Sequence, residues 1–117
     1  FDKELMMIEK IRYGFERRSY QADSIRKSIN NSPNPVILCG DFNDTPSSYA
    51  YHTILGNLQD GFKESGMGLG RTYIGEFPSY RIDYIFHDPI FKSLSFKTHP
   101  EKLSDHHPIS TRLRIIK

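Results

Sequence analysis

An α/β (or α+β) fold is predicted for this chain by three features: a helical period over its first segment, a short apolar run closed by a polar turn, and two later segments that alternate apolar and polar residues. The order helix, strand, helix, then several strands predicts a mixed sheet flanked by helices.

From Asp2 to about Asn30 the chain is charged and lacks proline, and Ile8, Ile11, Phe15, Ala22, Ile25 and Ile29 fall on one helical face. One long helix is expected, or two with a joint near Ser19-Tyr20, with Arg12, Arg17, Arg18, Arg26 and Lys27 mostly off the stripe on a solvated face. Pro33 and Pro35 end it, since proline lacks an amide donor and restricts its predecessor. Val36-Ile37-Leu38-Cys39 has the pattern of a strand buried on both faces. Thr45-Pro46 then predicts a helix start, with Thr45 as N-cap and Pro46 at the first helical position. Tyr51, Leu55 and Leu58 form its inner face, and a short second helix is expected between Leu58 and Ser65. The glycine-rich stretch Gly66 to Gly70 lacks the spacing and the Gly-Lys-Ser/Thr ending of a nucleotide-binding loop. Ile82, Tyr84 and Phe86 alternate with Arg81, Asp83 and Ile85, and Ile109, Thr111, Leu113 and Ile115 alternate with Ser110, Arg112 and Arg114. Phe91 to Thr98 is a weaker strand after the Asp88-Pro89 turn.

Composition bounds the functional classes. With 117 residues the chain is one unit; its 26% charged residues argue against global disorder, and 37% hydrophobic residues is lean for a good core. A net charge of +2 and a pI near 8.7 do not oppose a polyanionic partner and do not diagnose nucleic-acid binding. One cysteine, Cys39, excludes an intrachain disulfide. No run approaches the roughly 20 apolar residues of a membrane helix. The chain opens at Phe1 rather than Met, so a processed or excerpted segment is expected, and its compartment stays unassigned.

Three polar clusters fall at the ends of apolar strands, where α/β scaffolds place their chemistry. In Gly40-Asp41-Phe42-Asn43, Asp41 can bind a cation or hold a water, and Asn43 can donate to a phosphoryl oxygen; an ordinary Asx turn is the alternative. Asp83 interrupts a strand, which costs free energy unless it is paired or solvated at an edge. Ser104-Asp105-His106-His107-Pro108 precedes the last strand and offers adjacent carboxylate and imidazole groups, or only a loop. Jointly these are the parts that hydrolysis of a phosphodiester needs: a cation, an oriented water and a donor at the developing oxyanion. Hard oxygen ligands without a thiolate cluster favour Mg²⁺ or Mn²⁺.

Gly40-Asp41-Phe42-Asn43, Arg81-Ile82-Asp83-Tyr84-Ile85 and Ser104-Asp105-His106-His107-Pro108 resemble, in order, three successive motifs of the endonuclease/exonuclease/phosphatase superfamily, from about Gln21 onward. Asp44-Thr45-Pro46-Ser47-Ser48 and Thr72-Tyr73 resemble its bacterial branch. The resemblance implies a sandwich of two packed sheets flanked by helices, of which residues 1–117 would be the C-terminal portion, the N-terminal half being absent. It also implies roles. Asp41 would orient or deprotonate the attacking water, Asn43 would hold the phosphate, Asp83 would orient the catalytic imidazole of His106, and Asp105 would serve the metal centre. The family's metal-binding Glu has no counterpart before Asp41, where Glu4, Glu9 and Glu16 sit on the first helix.

The leading functional class is therefore a metal-dependent phosphodiesterase, nuclease or lipid or inositol phosphate hydrolase. The rival is a non-catalytic binding or assembly unit, which wide separation of Asp41, Asp83 and His106 would favour. Fold does not decide among DNA, RNA, phospholipid and inositol phosphate substrates. Ile82, Tyr84, Phe86, Ile109, Leu113 and Ile115 are expected to form an apolar face without a partner in the chain, through which the chain would self-associate.

Overall fold

The computed structural model describes residues 2–75 and 80–116. Three helices and five strands follow in the order α1 (Asp2–Asn30), β1 (Ile37–Asp41), α2 (Tyr49–Leu55), β2 (Gln59–Asp60), α3 (Gly61–Ser65), β3 (Asp83–His87), β4 (Phe91–Thr98) and β5 (Ile109–Ile115). The strands form two sheets, β1-β3-β2 and β4-β5, with helices against them, which is the predicted α/β class. The expected mixed sheet is not what forms. All strand pairings among the described residues are antiparallel. β1 and β2 run parallel to each other on either side of β3, joined through α2 in a split β-α-β arrangement that leaves no adjacent parallel pair.

The helix α1 is continuous through Ser19-Tyr20. Its 29 residues span about 43 Å at ~1.5 Å per residue, and the molecule is accordingly elongated, 60 × 35 × 21 Å. Only its C-terminal half packs: Ala22 is buried and Ile29 joins the core, whereas Ile8, Ile11 and Phe15 are exposed. Two arginines assigned to a solvated face have specific partners. Arg18 Nε lies 3.0 Å from Asp44 Oδ2, and Arg26 Nη2 donates to the Ile54 carbonyl at 2.6 Å. Arg26 thus satisfies a carbonyl at the C-terminal end of α2, where helix carbonyls lack intrahelical donors.

The start of α2 falls three residues later than expected. Ser48 is the N-cap, in extended conformation with its side chain accepting from the Tyr51 amide. Thr45 to Ser48 instead closes a turn through Ser48 N–H to Thr45 O at 3.0 Å. Pro46 then occupies the second turn position, which its fixed φ favours equally well. In the segment 58–65, β2 precedes the helix, and Asp60 caps α3 by accepting from the Phe62 amide.

The strand β1 is an edge and is not buried on both faces. Leu38 packs on the core, while Ile37 and Cys39 are exposed on the opposite face. Being central, β3 is the buried strand: Tyr84, Ile85, Phe86 and His87 are all buried. The apolar face proposed to lack a cover is therefore drawn differently. Ile82, Tyr84 and Phe86 are 8%, 1% and 0% exposed, the latter two under α2, whereas Ile115 is exposed. Rings of Phe42, Tyr51, Tyr84 and Phe86 interlock with centroid separations of 4.7 Å for Phe42–Tyr84 and 5.4 Å for Tyr51–Phe86. Such pairs contribute about 0.5–1.5 kcal/mol beyond their burial.

Two buried polar contacts tie the parts together. Arg81 Nη1 lies 2.9 Å from Asp60 Oδ2, with both side chains almost inaccessible, and Tyr51 Oη donates to the same oxygen at 2.7 Å. The fully buried His87 sets Nε2 2.7 Å from Glu64 Oε2 and Nδ1 2.9 Å from the Asp88 carbonyl, and Glu64 Oε1 accepts from the Ser93 amide. Glu64 thereby links α3 to both sheets.

Removing one partner of a buried ion pair strands the other charge, which costs about 3–5 kcal/mol. We expect Asp60→Ala to lose stability on that scale in urea denaturation; a loss below about 1 kcal/mol would mean that Arg81 escapes to solvent.

Candidate active site

The antiparallel register brings the end of β1 against the start of β3, with Asp41 directly opposite Asp83. Like charges facing across a ladder repel. The compensating group arrives from the loop before β5: His106 Nδ1 lies 2.6 Å from Asp83 Oδ2, and His106 Nε2 lies 3.7 Å from Asp41 Oδ2. Asp105 adds a third carboxylate, its Oδ1 3.9 Å from His106 Nε2.

The loop is held by the segment before β3. Tyr73 and His106 form an isolated antiparallel bridge, flanked by Ile74 N–H to Asp105 O at 2.7 Å and His107 N–H to Thr72 O at 2.6 Å. Buried Thr72 acts in both directions, because its hydroxyl accepts from the amides of Ile82 and Asp83 at 3.0 and 3.1 Å. One residue thus sets the backbone of Asp83 and, through its carbonyl, that of the histidine loop. Ser104 Oγ accepts from the His106 amide at 3.0 Å, and the Tyr73 ring stands edge-on to the imidazole at 5.6 Å.

The imidazole orientation follows from these contacts. Nδ1–H donates to Asp83, which turns Nε2 towards Asp41 and Asp105. The hydrogen bond to Asp83 raises the His106 pKa above its ordinary value near 6.5, helped by the charges of Asp83, Asp41 and Asp105 and opposed by partial burial. Because the folded value is raised, this stabilisation is present in full below the unfolded pKa and is lost as pH rises through the folded pKa.

Of the residues selected from sequence, Asp41, Asp83, Asp105 and His106 meet at one end of the sheet. A cleft of about 580 Å³ opens there, lined by Asp41, Asp83, His106, Cys39, Ile85 and Ile109 among others. Asn43 is outside that lining. It takes φ 53°, a left-handed conformation asparagine tolerates, and its amide donates to Asp41 Oδ1 at 2.8 Å, so the turn anticipated as the alternative is present. The side chain of Asn43 borders a smaller hollow of about 100 Å³ with Arg18 and Ala50. His107 is half-buried, and its amide helps lock the loop. The sequence reading gave no role to Thr72 or Tyr73, although the pair was noted as a resemblance; a threonine between glycine-rich and aromatic residues carries no signal that its hydroxyl serves a strand ten residues on.

Ligand atoms of Asp41, Asp83 and His106 lie within 4.8 Å of one another, a grouping able to hold a metal ion. The donors available beyond the histidine are hard oxygens. Partial burial pushes the Cys39 thiol, which lines the same cleft, up.

An α/β scaffold that sets an imidazole among three carboxylates at its strand ends defines a protein with a candidate metal-binding group at that point. The chain belongs to the endonuclease/exonuclease/phosphatase family, whose profile matches residues 11–106. Members are generally phosphoester hydrolases that depend on a divalent metal. Among solved structures, an endonuclease/exonuclease/phosphatase from Bacteroides vulgatus superposes with a TM-score of 0.73 at 30% identity, over 86% of this chain and 45% of that one. A mannosyl-6-phosphatase of Bacteroides thetaiotaomicron gives 0.69 at 22% identity, over 86% and 46%. A functionally unknown conserved protein from Enterococcus faecalis gives 0.70 at 18%, over 87% and 46%. The chain thus spans less than half the length of these structures. A comparison with curated proteins gave no match.

Asp83→Asn removes the charge and the strongest acceptor facing His106. We expect the imidazole titration, followed by NMR, to move down towards the ordinary histidine range; an unmoved titration would assign the shift elsewhere. Thr72→Val leaves the Ile82 and Asp83 amides without their acceptor and is expected to cost about 1–3 kcal/mol in thermal or urea melts.

Proposed function

We propose that the protein hydrolyses a phosphate ester, as a phosphodiesterase with Mg²⁺ or Mn²⁺ as cofactor, at the cleft beside His106. The observation that carries this reading is the Asp83–His106 hydrogen bond of 2.6 Å with the Asp41 carboxylate on the other side of the same ring. Asp83 holds the imidazole in one orientation and favours its cationic form, so that Nε2–H faces the scissile phosphate and donates to the developing oxyanion. Asp41, whose Oδ1 is occupied by the Asn43 amide, has Oδ2 left to orient and deprotonate a water. The Asn43 carboxamide donates to a phosphoryl oxygen after turning towards the cleft. Asp105, largely exposed, would hold the divalent cation, which when bound neutralises phosphate charge.

One carboxylate does not by itself hold Mg²⁺ tightly, since the ion keeps several waters and seeks near-octahedral oxygen coordination. We therefore propose further that residues 1–117 form the C-terminal portion of one domain, and that its complementary half supplies the remaining metal ligands. The proportion of the neighbouring structures left uncovered supports this reading.

The test is turnover of bis-p-nitrophenyl phosphate by residues 1–117 alone and joined to the complementary half, with and without EDTA. The joined protein should be active only with Mg²⁺ or Mn²⁺, and the shorter polypeptide nearly inert. His106→Ala and Asp41→Asn should each lower kcat by at least ~10²-fold, the usual scale for a lost acid–base or oxyanion group. Full activity in His106→Ala would overturn the assignment.

A further inference from the structure

We propose that the groove between the glycine-rich loop and β4 is an anion-binding subsite that takes a second phosphate group of the substrate. The inference rests on the hydrolase reading above and narrows its substrate class to molecules with at least two phosphates.

The groove has a volume of about 540 Å³ and is lined by Arg71 on the loop side and Lys97 on the β4 side, over a floor that includes Phe62 and Phe96. Among the described residues no carboxylate lines it, in contrast to the neighbouring cleft with Asp41 and Asp83. His107 lines both, so the two spaces meet at the histidine loop.

Both cations are available to a ligand. Among the described residues Arg12, Arg18 and Arg81 are committed to carboxylates, Arg17 to the Tyr13 hydroxyl and Arg26 to the end of α2, whereas Arg71 and Lys97 form no ion pair. Their placement is set by the same elements that build the catalytic cleft. Arg71 precedes Thr72, the residue that fixes Asp83, and Lys97 pairs with Ser110 near the start of β5, just after the histidine loop. Gly70, at φ 64°, lets the loop that carries Arg71 pack closely on the Phe62 ring and the Arg81 side chain, where a Cβ would clash. The edge-on pair Phe62–Phe96, with centroids 5.6 Å apart, offers an apolar floor for the organic part of the ligand.

The chemistry favours phosphate. A planar guanidinium fork and a mobile ammonium, entering from two walls, can reach different oxygens of one tetrahedral anion. A diester with a single phosphate has nothing to place there. A polynucleotide strand and a small multiply phosphorylated molecule both have.

The probe is inorganic tripolyphosphate, titrated into the chain and followed by NMR. We expect shifts at Gly70, Arg71, Lys97 and His107, and an affinity roughly 10- to 100-fold weaker in R71A/K97A, the scale of charge-assisted hydrogen bonds. Both residues are exposed, so the variant should fold, which circular dichroism verifies. Equal affinity in the variant, or shifts confined to Asp41, Asp83 and His106, would overturn the subsite. Repeating the titration with tetrathymidylate and with inositol 1,4-bisphosphate separates the two sources: loss of affinity in R71A/K97A for either supports the subsite and names the source, and loss for neither refutes it. Binding is read without turnover, so failure of the hydrolase reading and failure of the subsite register separately.

Discussion

A guanidinium buried beneath aromatic rings must have an acid beside it, and the Arg81–Asp60 contact meets that requirement at 2.9 Å. Arg81 lies over the Phe62 ring at 4.6 Å and the Tyr84 ring at 5.0 Å, so its position is defined by packing as well as charge. Asp60 accepts in addition from the Tyr51 hydroxyl and the Phe62 amide, which joins α2, the β2–α3 corner and the entry to β3 at one carboxylate. The Tyr84 hydroxyl extends the network by donating to the carbonyls of Arg81 and Asp44. Asp83 stands two residues past this clamp. Its place in the cleft is inherited from a buried pair that takes no part in the chemistry.

The site itself resolves an electrostatic conflict. Antiparallel pairing sets Asp41 across from Asp83, an arrangement that repulsion would disfavour on a bare ladder. His106 sits between the two carboxylates, bonded to one and facing the other, and its pKa is raised first by the hydrogen bond to Asp83. The arrangement is rigid on the Asp83 side, where Thr72 and the Tyr73–His106 bridge hold the backbone, and open on the side of Asp41 and Asp105. A centre held by backbone contacts around Asp83 and open beside Asp41 and Asp105 suits the metal-assisted hydrolysis proposed above.

Much of this was legible along the chain. The polar clusters around Asp41, Asp83 and His106 stood out because each interrupts or ends an apolar strand, a break in local pattern that sheet formation does not need. The helical period of α1 was legible for the same reason, yet the period could not tell that Phe15 would stay exposed while Ala22 was buried. Periodicity reports which residues share a face and is silent on whether anything covers it. Likewise Thr45-Pro46 and Ser48 both carry start signals, and only the turn that Pro46 enters decides between them.

The sequence by itself determined the kind of element in most segments and picked out the polar groups that meet at the cleft, since both follow from short-range residue pattern and intrinsic chemistry. Only the tertiary structure decided which strand is central, that Asp41 faces Asp83, that Asn43 falls outside the cleft lining, and that Arg71 and Lys97 flank one groove. Those facts depend on register and on contacts between residues far apart in the chain. Their free energy arises when distant segments meet, and no local pattern records it.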